Sequence, residues 1–448
     1  MWTDFLGNPV GLQHASSLAG VNDFVEGLIA SEARVGNILE TAAVDAAPLV
    51  QAYAAALHMF AESRGASANA RPFIDKALAC HGKATARERG MVLAVKAWVD
   101  GDIDRCIALL ERQVREFPRD LVALKLAHYH LFNNGDSPAM LRVGLLALPA
   151  AADVAYLHGM LAFAFEQCHL LEDAEAAARR AIAMQRKEPW AHHALAHVML
   201  TQGRIREGHQ FLDEVSDSWT GLNSFMVTHN WWHQALFALE LDRHDKVLAL
   251  YDQQVWGVAK DYSQDQVNAI SLLARLELAG ANVGDRWQDL ADHIVARIDD
   301  QVLPFLELHY LYGLARAQRP EADVQLRNIV AHAKSIPPTT PHARHAWQQV
   351  CVPASRGLLA HARGDWQLAV DELGQALPRL NDIGGSHAQR DLFSQVHLDA
   401  LIRNRNLAGA QQLLQQQLRG QPESTRLRRQ AAGVYRALGL PTVADSLT

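Results

Sequence analysis

Apolar residues recur along this chain at helical spacing, as in Ala174, Ala177, Ala178 and Ile182, and no segment alternates with period two. The pattern therefore predicts helices throughout and offers no strand. Against this background a period stands out. From the turn Gly101-Asp102, steps of 34 reach Gly135, His169 and Gly203. Five residues after each marker stand Cys106, Met140, Ala174 and Gly208, and seven before stand Ala94, His128, Ala162 and Ala196. The frame returns at Asp242, Gly364, Arg405 and Gly439, and Pro118 and Pro422 each fall 17 after a marker. Glycine at the turn gives the backbone freedom of a helix hairpin, small residues on either side let two antiparallel helices approach, and the proline stops the second helix.

These columns resemble the tetratricopeptide repeat. The resemblance implies an all-α fold, a right-handed α-solenoid of tetratricopeptide-like helix–turn–helix repeats with a concave face built mainly by each first helix. Residues 1–84 read as an Ala-rich helical region of degenerate repeats ("VQAYAAALHMF") and residues 85–448 as one continuous array. Of three Gly/Pro-rich breaks, at 148–154, 335–344 and 380–389, the second is expected to be a long connecting loop.

Composition narrows the partners. The 448 residues carry a net charge of −7 and no apolar run of bilayer length. These figures set the expectation of no nucleic-acid and no membrane partner. Met1-Trp2-Thr3-Asp4-Phe5 has an acid where a secretory signal has basic residues, giving the expectation of a cytoplasmic protein. Cys80, Cys106, Cys168 and Cys351 show no metal or disulfide spacing and read as reduced thiols.

The 22 histidines are the candidate chemistry, and nine of them lie between His158 and His244. His193 and His197 are four apart on one helix, and His229 and His233 four apart on the next repeat's first helix, a spacing that stacks imidazoles about 6 Å apart on one face. In the repeat register, Trp190, His193 and His197, then His229, Trp232 and Leu236, line the groove. The four imidazoles could hold a divalent transition metal, Zn²⁺ or Fe²⁺, or with the indoles could wall a pocket for a small molecule or peptide. Without the added acid of H-E-x-x-H no metalloprotease is implied. Ser386 with Gln389 forms a capping box opening a helix over 386–404, leaving His387 and Arg390 in its first turn to meet an anionic group. Asp261, Asp265 and Glu277 are acids that could reach the histidines.

The strings "EPWAHHALAHVMLTQGR", "HNWWHQALFALE", "RLELAGANVGDRW" and "GGSHAQRDLF" together resemble the tetratricopeptide repeat protein 38 family. That resemblance maps the family's recurrent residues onto His193, His197, His229, Asn230, Trp231, Trp232, His233, His387, Gln389, Arg390 and Asp391. Leu200 and Asn268 depart from it at positions where the family often carries an acid. The expected function is binding of a small-molecule or peptide ligand with an anionic group. The alternatives are a metal-dependent or histidine acid/base hydrolase or lyase, with His193, His233 and His387 as catalytic candidates, and a protein-interaction scaffold. Exposed end repeats leave homodimerisation open.

Overall fold

The computed structural model of the chain describes residues 2–80, 82 and 84–447. It is an all-α array of tetratricopeptide-type hairpins. The departures from helix among the described residues are an antiparallel pairing of Trp2–Thr3 with Pro9–Val10 and an isolated bridge between Glu32 and Leu222. Periodicity gave no hint of either, because two-residue strands are too short to alternate.

All eight turn markers adopt the left-handed conformation, with φ between 57° and 80°. The flanking columns are buried, from Ala94 and Ala196 to Cys106, Ala174 and Ala369. At Gly208 the reason for a small residue is direct, since an added Cβ would enter the Phe237 ring. The residue after a marker often caps the next helix. Asp102, Asp136, Asp365 and Asn406 each accept a backbone N–H three residues on, an interaction worth about 1 kcal/mol. Two further turns, Gly280 and Gln318, were not legible in the frame. Between Asp242 and Arg405 the repeats lengthen, and the added residues fall in π-helical turns at Tyr251–Val255 and Ala346–Cys351, in 3-10 stretches at Val295–Arg297 and Leu377–Ile383, and in the connection at 336–340. The expected long loop at 335–344 is corrected: one helix runs to Ser335, the next starts at Pro341, and only 336–340 connect them.

Two compact units divide the chain, one of residues up to 195 with 217–226, the other of 196–216 with residues from 227 on. The helices that carry the chemistry are α1 (Leu121–Asn133), α2 (Ala155–Gln167), α3 (Pro189–Thr201), α4 (Ser224–Glu240), α5 (Ser263–Leu278), α6 (His387–Arg403), α7 (Leu407–Gly420) and α8 (Thr425–Ala437). In the first unit the N-terminal segment is held by Arg87, which donates to the Asp120 carboxylate (3.2 Å) and the Pro9 carbonyl (3.0 Å). In the second unit the last hairpin returns to earlier turns. Gln421 donates to the Leu200 carbonyl (2.9 Å), Ser424 bonds Glu240, and Arg426 grips the same carboxylate at 2.7 and 2.9 Å.

Candidate functional site

Helical spacing places His229 and His233 on one face of α4, and His197 of α3 meets them. The His197 and His233 ring centroids are 4.5 Å apart, those of His229 and His233 4.9 Å. The three offer ligand atoms within 4.8 Å of one another, and they are 1%, 3% and 0% exposed. The expected wall of an open groove is, at these residues, a sealed interior. His193 stands one turn before His197 on α3, its ring against Trp190 (5.1 Å) and Phe163 (5.0 Å).

A hydrogen-bond chain on α4 and α5 fixes how His229 is presented. The Thr228 hydroxyl donates to Asp265 (3.0 Å), so its oxygen accepts from the Asn268 amide nitrogen (3.3 Å). Asn268 Oδ1 then faces His229 Nδ1 at 2.9 Å, and that nitrogen must carry the proton. Nε2 is then the nitrogen without a proton, the form in which an imidazole serves as a metal donor. Burial, opposed by the bond to Asn268, pushes the His229 pKa down to about 3, so the imidazole is neutral near pH 7. Asn268 is thus the orienting partner of His229, standing where the resembled family often has an acid. Sequence reasoning noted it only as a departure, although its offset of 39 from His229 repeats the offset from Trp190 to His229.

Trp232 lies parallel to His229 at 5.1 Å, and the Arg275 guanidinium sits 5.8 Å from the indole. Arg275, only 2% exposed, donates to Asp391 (3.0 Å), the Ala388 carbonyl (2.6 Å) and Ser271 (3.3 Å). Asp391 therefore belongs to Arg275. Arg390 bonds the Gly385 carbonyl and meets His387 Nδ1 at 3.3 Å, which fastens the turn before α6. The capping box of Ser386 and Gln389 has both its bonds. Asn230 is fully buried, and neither of its amide atoms has a hydrogen-bond partner among the described residues. Of the three candidate acids only Asp265 joins this region. Asp261 pairs with His293, and Glu277 with Arg316. Trp190 is placed in the first unit, its N–H donated to Ser31 (2.8 Å). An apolar hollow of about 310 Å³ lined by Leu414, Leu418, Val434 and Tyr435 lies between α7 and α8, on helices that carry none of these histidines.

No family model matches the chain. Solved structures similar to it include the human IFIT1 dimer with PPP-AAAA, at 12% identity over 95% of this chain and 93% of that one, TM-score 0.43. Naa15/Naa10 bound to HypK-THB gives 12% identity over 97% of this chain and 68% of that chain, TM-score 0.26. The P58(IPK) TPR domain gives 11% identity over 81% and 91%, TM-score 0.23. The likeness is one of helical-repeat fold alone. It does correct one expectation: IFIT1 is solved with PPP-AAAA, so nucleic acid is not excluded as a class of partner. A net −7 is a sum over 448 residues and does not fix the sign of any one surface, so it does not exclude such a partner. Among the described residues no helix is long and apolar enough to cross a membrane.

Proposed function

We propose that this tetratricopeptide-type protein holds a divalent transition metal ion at His197, His229 and His233 and uses it to bind a small anionic ligand. The observation that carries the reading is the convergence of three buried imidazoles, one of them oriented by Asn268 to present Nε2. Metal–nitrogen bonds of about 2.0–2.1 Å would draw the ligand atoms, now within 4.8 Å of one another, closer together. His229, neutral near pH 7, does not have to lose a proton to bind. An all-nitrogen set suits Zn²⁺ better than Fe²⁺, whose common protein site includes a carboxylate. Neutral donors also leave the ion's charge uncompensated, which favours an anionic fourth or fifth ligand such as hydroxide or a carboxylate. Exposure of 0–3% leaves no strip for an extended peptide, so the ligand is small. A bound ion of this kind would polarise a carbonyl or acidify a water, which is the enzymatic reading.

Kinship with the tetratricopeptide repeat protein 38 family is part of the same proposal. It is supported by the way the motif blocks meet, Trp232 beneath Arg275 and Arg275 on Asp391. Metal analysis of protein purified without a histidine tag tests the site. About one equivalent of zinc, lost in His229→Ala/His233→Ala with helicity retained, is expected. Wild-type protein that takes up no zinc from micromolar solution refutes it.

A further inference from the structure

The first unit carries chemistry independent of the triad. On α1, Lys125 places its ammonium 3.5 Å from the centroid of the Trp190 ring, and among the described residues it has no hydrogen bond and no carboxylate within ion-pair distance. Trp190 is held in place by Ser31 and continues into an aromatic wall with Phe163 (5.6 Å) and Phe225 (6.4 Å). Lys125, Trp190 and Phe225 are half-buried, so the wall is reachable. Lys125 precedes its turn, Gly135, by ten residues, as His193 precedes Gly203, which is the groove-lining register.

Behind the wall lies Glu188, fully buried. Its Oε2 caps the Ala191 N–H, and its Oε1 has no hydrogen-bond partner among the described residues. Gly159 on α2 makes room for this carboxyl group, because a Cβ there would stand 2.9 Å from Oε1. Glu188 and Lys125 act on each other electrostatically, and His128 on α1 also feels Lys125.

We propose that Lys125 is a nucleophilic amine that captures an aromatic aldehyde or ketone as an imine, with Glu188 as the proton donor. Lysines freed of water on apolar walls and left without an ion pair serve this chemistry elsewhere. The amine lone pair adds to the carbonyl carbon, and the carbonyl π pair moves to oxygen. The nitrogen loses a proton and the oxygen gains one. Glu188 then protonates the hydroxyl, the C–O bond breaks with its electrons going to the departing water, nitrogen closes the C=N bond as an iminium, and the iminium N–H returns a proton to the Glu188 carboxylate. Amine and carbonyl become imine and water with no redox change. Burial supports both roles. It pushes Lys125 down to about 7, against the indole face, which favours the ammonium, and Glu188 up to about 8, so near neutrality about half of Lys125 is free amine while Glu188 is mostly protonated.

The test is reductive trapping of the full chain with 4-carboxybenzaldehyde and cyanoborohydride from pH 6 to 10, with adducts mapped by peptide mass spectrometry. Lys125 is expected to react with a midpoint near pH 7 and, at that pH, at least about tenfold faster than exposed Lys334, since an ordinary lysine near 10.4 is almost wholly protonated there. Lys125→Arg keeps the cation over the indole and is expected to lose the fast adduct. Labelling of Lys125 no faster than Lys334, a midpoint above 9, or a fast adduct that survives in Lys125→Arg overturns the proposal. No metal enters the assay, so its outcome is separate from that of the triad.

Discussion

Acid is expected to unfold this protein at a pH that most globular chains tolerate. Burial holds His128, His130 and His229 down to about 3, and His192 and His309 down to about 4. In the unfolded chain each titrates near 6.5. Between those values the unfolded state binds more protons, so the stability these residues contribute is present above pH 6.5 and is lost as pH falls towards 4. Two carboxyls oppose them. Glu188 and Glu307 are raised to about 8, so at pH 5–6 they are protonated only in the folded state and favour it. Five histidines against two glutamates leave about three protons net, and at roughly 1.4 kcal/mol per proton per pH unit the protein loses about 4 kcal/mol from pH 6 to pH 5. That is a large share of an ordinary folding free energy of about 5–15 kcal/mol. Urea denaturation followed by circular dichroism at pH 7, 6 and 5 measures it. Stability that is level or higher at pH 5 than at pH 6 would mean that water reaches these imidazoles and that they are not buried in the fold.

Asn268→Ala removes the acceptor that orients His229 and is expected to weaken zinc binding about ten- to a hundredfold in a chelator competition; an unchanged affinity would show that His229 is not a ligand. Gly208→Ala drives a methyl group into the Phe237 ring and is expected to cost about 1–3 kcal/mol in urea melts, whereas no loss would mean that the two helices can separate freely. Ser386→Ala removes the cap of α6 and is expected to cost about 1 kcal/mol without altering metal content; a change in metal content would link that helix to the triad.

The hairpin frame could be read from sequence because its marker does one backbone job that few residues do comfortably. Even His169, Asp242 and Arg405 were found by register and do adopt positive φ. Gly280 and Gln318 escaped because a π turn at Tyr251–Val255 and a 3-10 stretch at Val295–Arg297 lengthen the two repeats that end on them and break the period of 34. The meeting of His197, His229 and His233 was likewise legible, since it depends on two short-range periods and one repeat offset. Its second layer was not: Asn268 had to be placed on a third helix before its amide could be matched to a ring nitrogen. Lys125 was missed for another reason, because a lysine in a helical pattern reads as solvent-facing unless the register of the groove is applied to it. The sealing of the triad depends on tertiary closure, which no local pattern reports.

Contacts such as Gln421 with Leu200 and Arg426 with Glu240 join residues 221 and 186 positions apart. A ribosome completes the histidine-bearing helices long before it makes the segment that clasps their ends. Until then those imidazoles emerge with their helix ends unclasped. A cell that charges this protein with an ion therefore has a window to do so before the last hairpin docks, and zinc supplied during translation should enter more readily than zinc added to the finished fold.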